Sequence, residues 1–98
     1  MQVVRGRAQE TARASAGMVE RFIQAKQREV AAHAASIQVH EQMASLHEQL
    51  GQPERAAKAR SQAEQARASH RAAGEELADH LARIKVIEDR KASRPPPP

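Results

Sequence analysis

The sequence predicts an all-α protein, a long antiparallel two-helix hairpin of coiled-coil type that pairs into a four-helix arrangement. Three observations carry this expectation. Met18–Leu50 contains neither Pro nor Gly. Gly51-Gln52-Pro53 then joins a residue that ends helices to one that begins them. On both sides of that turn, apolar and small residues recur every seven positions, as a packed helical seam requires.

Taken in order, residues 1–14 are expected to be frayed or weakly helical, with Thr11 and Ser15 as alternative N-caps whose hydroxyls satisfy an orphan backbone N–H. Helix 1 is expected over 15–50. It tolerates Gly17, at a cost of about 1 kcal/mol relative to Ala. The turn occupies 51–53, because Gly51 reaches the left-handed conformation without a Cβ clash. Helix 2 runs over 54–91, where Glu54 complements the N-terminal end of the helix dipole and Gly74 is tolerated. Residues 92–98 end in four prolines and are expected to form a disordered, polyproline II-like tail.

The seam is read from two stripes per helix. In helix 1 these are Ile23, Val30, Ile37 and Ala44, beside Val19, Lys26, His33, His40 and His47. In helix 2 they are Ala56, Ala63, His70, Leu77 and Ile84, beside Ala59, Ala66, Ala73, His80 and Ile87. A turn centred on Gly51–Gln52 sets Val30 opposite Ala73, Ile37 opposite Ala66, Ala44 opposite Ala59 and Ile23 opposite His80. Larger side chains mostly meet smaller ones, which fills a seam without voids. A further stripe, Val39, Met43, Leu46 and Leu50, points more than a right angle away. One helical partner does not cover both directions, so either the seam rotates near the turn or this stripe binds another chain; the stripe is taken as the expected partner interface.

The segment His40–Ala63 resembles half of a tetratricopeptide repeat. Ala44 matches the small residue of that family's first helix, Leu50-Gly51-Gln52-Pro53-Glu54-Arg55-Ala56 its inter-helix turn, and Ala56 and Ala63 the small positions of its second helix. The resemblance implies a helix–turn–helix that presents surface to a protein partner. His40 and His47 stand where that family usually has large residues, no second repeat follows, and both helices are longer.

Composition narrows the function. The 98 residues include one aromatic, Phe22, and no Cys. The core is therefore thin, and disulfides, thiolate metal sites and Cys nucleophiles are excluded. Met1-Gln-Val-Val-Arg-Gly-Arg lacks the apolar run of a signal peptide. No stretch approaches the roughly 20 apolar residues of a membrane span. A cytoplasmic protein with no membrane association is expected. No phosphate loop, Glu-x-x-His pair or nucleophile triad is present, so neither enzymatic activity nor a cofactor is expected.

The formal net charge of +4 is spread along the chain, as on solvated helix faces. Arg60, Arg67 and Arg71 lie near one side of helix 2 and are the candidates for phosphate contacts. No aromatic residues accompany them for base stacking. His33 and His70 face each other in the expected register, with Glu29 one turn away, and this set is the candidate Zn²⁺ site. Because His titrates near pH 6.5, a pH-sensitive helical bundle is another reading of the same residues. The leading expectation is a non-enzymatic scaffold or adaptor acting on a protein partner or as a homo-oligomer. A basic nucleic-acid-associated protein and a His-based metal-binding or pH-sensitive bundle are the alternatives.

Overall fold

A computed structural model describes the backbone of residues 2–93, and side-chain environments for Glu10 and from Arg13 onward. Helix α1 spans Gln2–Gln49 and α2 spans Pro53–Ala92, packed antiparallel, with no strand among the described residues. The result is a two-helix hairpin. Forty-eight residues of α1 at 1.5 Å each give a rod of about 72 Å, close to the observed long dimension of 76 Å. The radius of gyration is 22.3 Å, against about 13 Å for a compact chain of this length.

Helix α1 begins at Gln2, upstream of the start expected at residue 15. Once a helix is nucleated, each added residue gains a hydrogen bond at modest entropic cost. The Ala, Arg, Gln and Glu residues of this segment continue it. The Pro tail expected over 92–98 lies outside the described residues beyond Ser93. Ala92 closes α2, and Ser93 caps it by returning its N–H and Oγ to the Asp89 carbonyl.

Specific hydrogen bonds make the turn. Gln52 donates its N–H to the His47 carbonyl at 2.8 Å, and Gly51 donates to the Glu48 carbonyl at 3.0 Å. This pair of bonds is a Schellman stop, and it requires the left-handed φ of +68° that Gly51 adopts. Pro53 opens α2 where no intrahelical N–H is needed. Gln52 makes no side-chain cap. Its Oε1 instead accepts a hydrogen bond from His47 Nδ1 at 2.9 Å, tying the end of α1 to the start of α2.

The seam follows the heptad stripes. Among the described residues the buried ones are all alanines: Ala44, Ala56, Ala59, Ala63, Ala66 and Ala73. Ile23, Val30, Ile37, Leu77 and Ile84 are half-buried at the positions between and beyond them. Small residues let the two helices approach closely near the turn. Toward the open end the larger residues do not close the seam: Val19 and Ile87 of the expected stripes stay exposed, and with Ile23 and Ile84 they line an open groove of about 650 Å³. Cross-helix contacts place His80 against Phe22, with ring centroids 4.7 Å apart in an edge-to-face geometry. The expected neighbour of His80 was Ile23, one residue away. Both helix interiors carry a glycine with open space around it; a Cβ at Gly74 would meet nothing within 4 Å. Gly74→Ala is therefore expected to stabilise the hairpin by roughly 0.5–1 kcal/mol, seen as a raised urea midpoint at unchanged slope.

Candidate interaction face

The two sides of the seam differ in chemistry. On one side, ion pairs bridge the helices: Glu41 with Arg67, and Glu48 with Arg60. Arg67 also pairs with Glu64 on its own helix. Exposed pairs contribute little each, about 0–1 kcal/mol, yet these lie on either side of buried Ala44 and Ala63 and favour this register over shifted ones.

The other side holds the apolar stripe of α1. Val39 is 55% exposed, Met43 41%, Leu46 45% and Leu50 61%. All four expected interface residues thus remain open to solvent. Val39, Met43, His40 and His47 line one flank of a shallow groove of about 430 Å³, and Arg55, Lys58 and Gln62 of α2 line the other. An apolar strip with a basic margin results.

Farther from the turn, the same side carries a polar cluster. Lys26 occupies a seam position with its side chain only 16% exposed. Its stem lies along the interface while its ammonium reaches Glu76 of α2 at 2.8 Å and Glu29 at 3.2 Å. The same ammonium stands 5.9 Å from the centre of the Phe22 ring. The hydrogen bond to Glu76, then that to Glu29, holds the Lys26 pKa above its ordinary value. Lys26 in turn holds the Glu76 carboxyl below its ordinary value.

The sign of the pH effect follows from these directions. A depressed carboxyl stabilises the fold above its unfolded value, near 4.5, and that contribution is lost as pH falls through the lower folded value. The raised lysine contributes below about 10.5 and ceases to contribute as pH rises through its folded value. Glu76→Gln is accordingly expected to lower Tm at pH 7 and to lower it less at pH 3. An equal loss at both pH values would show that the pair does not form.

The remaining candidate residues are distributed as follows. Arg60 and Arg67 are engaged in the interhelical ion pairs, while Arg71 is exposed. His33 and His70 are half-buried along the seam, and His33 Nε2 lies 3.8 Å from Glu29. Among the described residues, no group of three or more His, Asp or Glu side chains is assembled that could hold a metal ion. No described helix is long and apolar enough to cross a membrane. Sequence reasoning passed over Met18 and Phe22, which are 64% and 42% exposed. Their four-residue spacing was the available signal, hidden because small and polar residues separate them from Val39.

No protein-family model matches the chain, and neither a curated protein nor a solved structure matches it.

Proposed function

We propose that this chain is a non-enzymatic protein–protein interaction module, a scaffold or adaptor of the cytoplasm, acting through the α1 face formed by Val39, Met43, Leu46 and Leu50. The observation that carries this reading is unburied surface. The hairpin exposes 8196 Å², whereas a compact folded chain of its 10.8 kDa exposes about 5,500 Å². A core of six alanines buries little apolar area, so covering an exposed face is the available source of further stability. Pairing into a four-helix arrangement would supply such a cover.

The test is Met43→Glu combined with Leu46→Glu. Both residues are exposed in the hairpin, so helicity by circular dichroism should be nearly unchanged. Assembly, followed by light scattering and by capture of partner proteins, should be lost, because the new carboxylates would be desolvated without partners in the interface. Unfolding of the double variant as a monomer would assign the stripe to the intrachain core and reject the reading.

A further inference from the structure

The exposed face of α1 is longer than its four large residues near the turn. Continued toward the N-terminus at alternating spacings of three and four, it runs through Ser36, Ala32, Glu29 and Ala25 to Phe22 and Met18. All of these are exposed except Ser36, which is half-buried. The seven-residue repeat is that of a second coiled-coil seam, set on the flank of the first. It spans about 50 Å of helix; within the hairpin Phe22 rests against His80 of α2, while Met18, Val39, Met43, Leu46 and Leu50 stay open to solvent.

The spacing of this stripe is the same read in either direction; Met18 matches Leu50, Phe22 matches Leu46 and Ala32 matches Ser36, while Ala25 with Met43 and Glu29 with Val39 pair unlike residues. Large side chains stand at both ends and small ones in the middle. Resting on the reading of this face as an interface, we infer that its occupant is a second copy of the chain, with α1 packed antiparallel on α1 about a two-fold axis between Ala32 and Ser36. Met18 then meets Leu50 of the second copy, Phe22 meets Leu46, and Ala25 meets Met43. Such a contact is isologous and closed, so it ends at a dimer.

Charge selects this direction. In the antiparallel register Glu29 faces Val39, and Lys26 remains beside it as a counter-charge. The flanking Arg28 and Arg21 come beside Gln42 and Gln49. A parallel pairing would set Glu29 against Glu29 inside the seam, where like charges oppose association.

The chain has no Cys, so introduced thiols report without background. Full-length Ala25→Cys and Met43→Cys chains are prepared separately, mixed and mildly oxidised. The expected product is a disulfide-linked dimer from the mixture and none from Ala25→Cys alone. Wild type should sediment as a dimer at about 10–100 µM, and Met43→Glu with Leu46→Glu should weaken that dimer at least about a hundredfold. Cross-linking of Ala25→Cys with itself would overturn the antiparallel register. A wild-type chain that stays monomeric across this range would overturn the second copy as occupant, while leaving the face as an interface for a different protein. A dimer that survives the double Glu substitution would overturn both, by placing the contact elsewhere.

Discussion

Ala63→Trp is expected to open the hairpin near its turn, with a loss of about 3 kcal/mol or more. Ala63 is 1% exposed and lies in the seam between the Glu41–Arg67 and Glu48–Arg60 pairs, close to Ala44. The groove that Ala63 lines is shallow and open to solvent, and an indole built on a side chain that is already buried overfills the seam beside Ala44, so the helices are expected to separate. Separation exposes the neighbouring alanines and breaks both cross-helix ion pairs. The loss is large for a chain whose buried residues are all alanine, since there is little stability elsewhere to offset it. Exposed Gln62, one position earlier, provides the control; Gln62→Ala should stay within about 0.5 kcal/mol. Thermal melts followed by circular dichroism separate the two. Equal Tm values for the two variants would mean that Ala63 is not at a closed contact.

Gly51→Val is expected to cost about 2 kcal/mol, for a different reason. A Cβ at this position would meet nothing within 4 Å, so no neighbour is displaced. The cost is conformational: φ of +68° is strained for an L residue, and most so for a β-branched one. Gly51→Asn should restore most of the loss, because Asn visits the left-handed region readily. Urea unfolding of the three proteins checks this order. If Val and Asn were equally tolerated, the turn would be held by contacts other than the backbone stop. Destabilising the turn should also weaken the His47–Gln52 hydrogen bond, which depends on the chain reversing at this point.

Much of this architecture was readable residue by residue. The Gly51-Gln52-Pro53 stop and start is local chemistry, and it appears where the residue types require it. Seven-residue spacing identified the alanines that become buried, because periodicity around a helix is a property of the chain alone. The exposure of Val39, Met43, Leu46 and Leu50 followed from the same angular argument. The reach of α1 back to Gln2 did not, since weak propensities in residues 1–14 are decided by elongation from an already formed helix. The continuation of the exposed stripe to Phe22 and Met18 was also missed, because Glu29 and the small residues interrupt its hydropathy without interrupting its spacing.

Periodicity and turn chemistry thus set two helices, their reversal and the alanine stripes of the seam, all being interactions among near neighbours or repeats along one helix. Folding was needed to settle which side of the seam is bridged by Glu41–Arg67 and Glu48–Arg60 and which is left apolar. Spacing alone put Lys26 on a seam stripe, but only folding brought it Glu76, fifty positions away in the chain. A charged side chain is tolerated at an interface only when a counter-charge arrives from the other helix, and hydropathy along one strand of sequence contains no measure of that meeting.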